Sequence, residues 1–176
     1  MIILGIDPGT ARTGWGVIRK VKSAKLKVQS SGKMVGIEYV AHGCIVTSKD
    51  MEMGKRLMLL RKELKKIILV HKPECVVIER IFFGRNLLTA TVVGQAKGVI
   101  LLTISEQKLP VFEYTGLSAK LLLTGDGRAD KKIVQKSVRR LLNRTKRYLP
   151  FSAKDHGFDD AADGLAIAIY HSHKLT

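Results

Sequence analysis

Apolar and polar positions alternate in a way that makes the first part of the chain strand-rich and the rest mainly helical. Ile2, Ile3, Leu4 and Ile6 form an apolar run closed by Asp7, which predicts a buried strand over residues 2–7. Pro8 biases Asp7 toward an extended backbone, and Gly9 permits a tight turn. Gly14, Trp15, Gly16 and Val17 then open a second strand over 14–21, and a third is predicted over 38–47. The stretch 19–35 is rich in Lys and Ser with little core signal, as in an extended hairpin or a long loop. Three strands before any helix predict an antiparallel meander.

Helical spacing begins after Thr47. Leu57, Leu60, Leu64, Ile67 and Ile68 share one face of a helix predicted over about 50–71, with Ser48 or Asp50 as its cap and Pro73 beyond its end. "ECVVIE", 74–79, is a nearly continuous apolar run, as expected of a strand covered on both faces. A second helix is predicted from Asn86 to about residue 105, and "LPVFEY", 109–114, is a fifth strand. Shorter helices over about 117–123 and 130–142 precede a last helix over about 155–173. This order predicts an α/β fold: a five-stranded mixed sheet flanked by helices, in a single domain over 1–176.

Charge changes the picture more than composition does. Lys and Arg number 31 against 15 Asp and Glu, a net charge of +16, which favours a polyanionic partner, DNA or RNA before others. Cys44 and Cys75 lie far apart with no CxxC spacing, which argues against a disulfide framework or a zinc knuckle and suits a reducing cytoplasm. No apolar run reaches the roughly 18 residues of a membrane span.

Against that basic background, two carboxylates end apolar strands, Asp7 and Glu79. Ligand sites of open α/β sheets collect beyond the carboxyl ends of strands. Two more acids, Asp160 and Asp163 in "FDDAADGLAIAIYH", stand three residues apart on one helix face. Asp159 lies about 100° round the helix from Asp160 and reads as a favourable N-terminal charge. Clustered carboxylates are tolerated mainly when cations neutralise them, and oxygen-only ligands favour Mg²⁺ or Mn²⁺. Two such ions would suit in-line phosphodiester hydrolysis. A plain structural reading stands beside this one: Asp7 closes a turn, Glu79 pairs with Arg80 or a lysine, and the helix aspartates are caps.

"GIDPGT...TGWGVI", "VVIERIFFGRN", "VGQAKGV", "PVFEYT", "GDGRADK" and "DDAADGLAIAIYH" resemble, in order, the segments of the bacterial RuvC Holliday-junction resolvases, from residue 2 to about 173. The resemblance implies an RNase H-like fold and a homodimer. It implies Mg²⁺-dependent paired nicks in opposed strands of a four-way DNA junction, in recombination and repair, leaving 5′-phosphate and 3′-hydroxyl ends. The family's four acidic metal ligands match Asp7, Glu79, Asp160 and Asp163, its junction-stacking aromatic matches Phe82, and its two functional lysines match Lys120 and Lys131. Lys132 is an adjacent candidate for the second lysine's role. Two Mg²⁺ per subunit are implied, with Mn²⁺ as a substitute, and a branch-migration motor complex is a further candidate partner. The chain departs from the family at Gly116, usually proline, and at Gly164, usually alanine and here a mild helix penalty.

Phe82 and Phe83 read as core residues, or Phe82, with Arg80 and Arg85 flanking the pair, as facing DNA. In the 130–142 helix, Ile133, Val134, Val138, Leu141 and Leu142 form an apolar side, with Lys132, Lys136, Arg139 and Arg140 opposite as candidate phosphate contacts. "TGDGRAD", 124–130, reads as a loop between helices before a phosphate cradle. His171 and His173 read as a solvated, fraying helix end. Other readings are an actin-like ATPase, disfavoured by length, a junction-binding scaffold without cleavage, and an RNase H acting on RNA–DNA hybrid.

Overall fold

In a computed structural model, residues 1–21, 36–80, 87–143 and 156–175 are described. The elements run β1 (Ile2–Asp7), β2 (Arg12–Val21), β3 (Gly36–Val46), α1 (Met53–His71), β4 (Cys75–Glu79), α2 (Leu87–Glu106), β5 (Val111–Tyr114), α3 (Gly116–Thr124), α4 (Lys131–Asn143) and α5 (His156–Lys174). The sheet order is β3-β2-β1-β4-β5. β1, β2 and β3 form the expected antiparallel meander. β4 and β5 add parallel strands beside β1, reached through helical crossovers. Residues 22–35 of the Lys-rich stretch lie outside the described residues.

Alternation along β1 and β4 divides the core into two layers. Leu4 and Ile6 of β1 and Val76 and Ile78 of β4 pack with α1 and α2. Ile3 of β1 and Cys75 and Val77 of β4 face the other way, into a core built by α3, α4 and α5. Burying each large aliphatic side chain contributes roughly 1.5–3 kcal/mol, so both faces must be covered. α5 is the most enclosed helix: Phe158, Ala161, Ala162, Leu165 and the run Ala166–Ile169 are buried.

Some expectations fail for local reasons. Neither Ser48 nor Asp50 caps α1, because Ser48 Oγ accepts from the Asp50 N–H at 3.1 Å and closes a turn before the helix. Glu52 occupies the cap position and makes no side-chain cap hydrogen bond. His171 is not solvated: it is 1 % exposed. Its Nδ1 meets the Tyr114 hydroxyl at 3.0 Å, and its ring lies 4.3 Å from that of Phe112. His173 is half-buried. The end of α5 docks on β5 rather than fraying. Ile133 is exposed, so the apolar side of α4 is narrower than its sequence suggests.

"TGDGRAD" is a helix-to-helix turn. Gly125 closes α3 at φ 81, a left-handed position that favours glycine. Asp130 Oδ1 accepts from the Ile133 N–H at 2.9 Å and caps α4. Gly164 also differs from its reading as a helix penalty. A Cβ there would stand 2.9 Å from the Gly5 carbonyl oxygen and 3.0 Å from the Trp15 Cα. The missing side chain lets α5 lie close on the sheet.

Candidate active site

Asp7 and Glu79 end adjacent parallel strands, one residue beyond the Ile6–Ile78 pair. Strand alternation turns both carboxylates toward the face covered by α5. α5 starts on that face, with Asp160 and Asp163 on its early turns. Glycines set its approach: a Cβ at Gly5 would fall on the Gly164 carbonyl oxygen, and one at Gly14 on that of Asp160. The four acids separated in sequence therefore gather at one end of the sheet.

Three of them strain against one another. Burial raises the Asp7 carboxyl to about 8, and the Glu79 and Asp163 charges add to the effect. Glu79 is raised by burial and then by Asp163. Asp163 is raised chiefly by burial, with Asp160 contributing. The Asp7 and Glu79 side chains lie within hydrogen-bond reach of each other, which favours the protonated form of Asp7 and the charged form of Glu79. Glu79 also accepts from the Gly116 N–H. It does so where a Cβ on residue 116 would collide with its carboxylate. Of the partners expected on the plain structural reading, Arg80 or a lysine, Glu79 feels a lysine, Lys120, beside Asp7 and Gly116.

Cations flank the cluster. Lys120 of α3 lowers Glu79 and Asp163 toward their charged forms, and Lys131 of α4 does the same for Asp7 and Asp163. Lys131 rather than its neighbour Lys132 acts on the acids. Arg12, absent from the sequence-based site, bonds Asp160 Oδ2 through Nε at 2.7 Å and Nη2 at 2.5 Å. Its signal was slight: one arginine in a glycine-rich turn. The Arg139 guanidinium lies 4.4 Å over the Phe158 ring, so it does not join the outward stripe expected of it. Lys132, Lys136 and Arg140 are exposed on α4. Phe82, Phe83 and Arg85 lie outside the described residues.

Among the described residues, no group of three or more His, Cys, Asp or Glu is arranged to hold a metal ion as the side chains stand. The donor set itself fits a hard divalent cation. It consists of desolvated oxygens whose mutual repulsion only positive charge can relieve. Among the described residues no helix is long and apolar enough to cross a membrane, and both cysteines are free.

The sheet order and the carboxylates at its central strand ends define an RNase H-like nuclease fold. A family model described as crossover junction endodeoxyribonuclease RuvC matches residues 3–171. The chain belongs to the RuvC family. It is 44% identical to the crossover junction endodeoxyribonuclease RuvC of Rubrobacter xylanophilus, over 99% of this chain and 88% of that one. The Syntrophomonas wolfei protein of the same name is 41% identical over 98% of this chain and 89% of its own. Among solved structures, Thermus thermophilus RuvC in complex with Holliday junction substrate aligns with a TM-score of 0.78 and 27% identity, over 99% of this chain and 94% of that one. The yeast mitochondrial Holliday junction resolvase, at 13% identity and a TM-score of 0.67 over 97% of this chain and 77% of its own, shares the fold.

Proposed function

We infer that the protein is an endodeoxyribonuclease that resolves four-way DNA junctions in recombination and repair. The observation that carries this is a family match over nearly the whole chain, joined to the likeness to a RuvC bound to Holliday junction substrate. It acts as one RNase H-like nuclease domain over 1–176, in the cytoplasm, as a homodimer whose two sites nick opposed strands symmetrically. A branch-migration motor would be an upstream partner.

Asp7, Glu79, Asp160 and Asp163 are the residues that would hold two Mg²⁺ per subunit, or Mn²⁺ in their place. When bound, the ions supply Lewis-acid stabilisation of the phosphate and lower the pKa of an attacking water. The chain's own groups do the rest. Parallel strand ends fix Asp7 and Glu79 on rigid backbone, and burial makes their unneutralised charges unfavourable, which a bound divalent cation would relieve. Lys131, whose charge Asp7 and Asp163 feel, would stabilise charge developing on the scissile phosphate. Lys120 does the same from the Glu79 side. Lys132, Lys136 and Arg140 offer phosphate contacts that set register rather than sequence. Phe82 would meet the junction centre by stacking on an unpaired base, and Arg85 would contact DNA beside it.

The test is a synthetic four-way junction with Mg²⁺, beside linear duplex and RNA–DNA hybrid, with an Asp7→Asn control. Paired symmetric nicks confined to the junction, carrying 5′-phosphate ends and absent in the control, are expected. Tight junction binding without nicks would favour a scaffold, and preferential cutting of hybrid would favour an RNase H.

A further inference from the structure

Arg12 opens β2 at the rim of the acidic site, and its backbone is fixed on several sides. A Cβ on Gly9 would fall on the Arg12 carbonyl oxygen, so that glycine allows the turn to fold tightly against it. Thr13 Oγ1 donates to the Gly9 carbonyl at 2.5 Å. The Thr47 N–H donates to the Ala11 carbonyl at 2.9 Å, and Arg12 itself pairs with Val46 of β3. From this base the guanidinium reaches Asp160, which is 148 residues away in sequence.

The contact is specific in form. Nε and Nη2 both bond the same oxygen, Oδ2. Two donors on one oxygen fix the direction of the carboxylate, with the Cys44 thiol as a further neighbour of both Asp160 and Arg12; Oδ1 is the oxygen that Arg12 does not hold. The Arg12 side chain is 49% exposed, and an ion pair that open contributes only about 0–1 kcal/mol to folding. Its consequence is therefore orientation more than stability.

We propose that Arg12 is a positioning residue for Asp160, holding Oδ2 so that Oδ1 is presented to a divalent cation at the site. The proposal rests on the reading of Asp160 as a metal ligand. A guanidinium near a cation also repels it, and the two effects have opposite signs. The half-exposed position screens the repulsion, whereas hydrogen-bond partners of metal-ligating groups commonly govern affinity by about 10–100-fold. The orienting effect is therefore the larger.

Mn²⁺ binding to the full chain without DNA, measured by calorimetry, separates the cases. Wild type would be compared with Arg12→Gln, Arg12→Lys and Asp160→Asn, each checked by thermal melting. Arg12→Gln should weaken Mn²⁺ binding about 10–100-fold with little change in melting temperature. Arg12→Lys, which keeps one charged donor, should recover part of the loss. Junction binding in EDTA should stay unchanged in Arg12→Gln, which separates positioning from a direct DNA contact. Weaker binding in Asp160→Asn with unchanged or tighter binding in Arg12→Gln would overturn the proposal and leave the Asp160 reading intact. Unchanged Mn²⁺ binding in Asp160→Asn would overturn both.

Discussion

Gly14 of β2 lies directly beneath Asp160 of α5: any Cβ at residue 14 would fall on the Asp160 carbonyl oxygen. The obstacle is backbone, so the clash cannot be relieved by turning a side chain. Gly14→Ala should destabilise the protein by about 1–3 kcal/mol, the usual range for overpacking. It should also reduce junction cleavage further than the stability loss explains, because α5 carries two of the acids. Urea denaturation beside single-turnover cleavage measures both.

The acids predict an inverted pH dependence for the metal-free protein. Asp7 is raised from 3.8 to about 8 by burial and its acidic neighbours. Its protonated form is therefore favoured by folding. Stability from this group is present below about pH 4 and is lost as pH rises toward 8. Adding Mg²⁺ should restore stability at the alkaline end, where the acids are charged. Thermal melting across pH in EDTA and in Mg²⁺ checks this, and Asp7→Asn should flatten the EDTA curve.

His171 acts in the opposite sense. Burial, helped by the Lys20 charge, lowers it from 6.5 and favours the neutral ring bonded to Tyr114. Its contribution is present above about pH 6.5 and is lost as pH falls. Tyr114, Phe112 and Lys20 are groups it meets or feels on the packed elements. The difference between wild-type and His171→Gln melting temperatures should shrink from pH 7.5 to pH 5.

Lys131 and Lys132 are neighbours with unequal surroundings. Lys131→Ala should reduce single-turnover cleavage by about 10²–10³, the range for losing one group that stabilises transition-state charge. Lys132→Ala should leave the cleavage rate of bound junction within a few-fold and act on binding instead. Equal losses in both would show that α4 presents the two lysines alike.

Arg139 and Arg140 should separate cleanly. Arg140→Ala should lower the salt dependence of junction binding by about one phosphate contact with little effect on stability. Arg139→Ala should leave the salt slope unchanged and lower stability, since its guanidinium covers the Phe158 ring. Junction titrations at several salt concentrations, with urea melts, distinguish them.

The element order and the four acids were legible in sequence because each is a local signal. Apolar runs of strand length ended in Asp7 and Glu79, and a three-residue spacing put Asp160 and Asp163 on one helical face. Strand alternation and helix periodicity are properties of neighbouring residues, so the chain alone determined them. Where α5 lands was decided only by tertiary packing. In sequence Gly5 and Gly14 are only positions in predicted strands and Gly164 a mild helix penalty; in the fold they are the surface on which helix and sheet meet. The same holds for Arg12, whose partner stands 148 positions away, and for His171 and Arg139, polar residues taken out of solvent by elements that pack over them. Local periodicity fixes which way a side chain leaves its own element. Only the closed fold decides what it meets there.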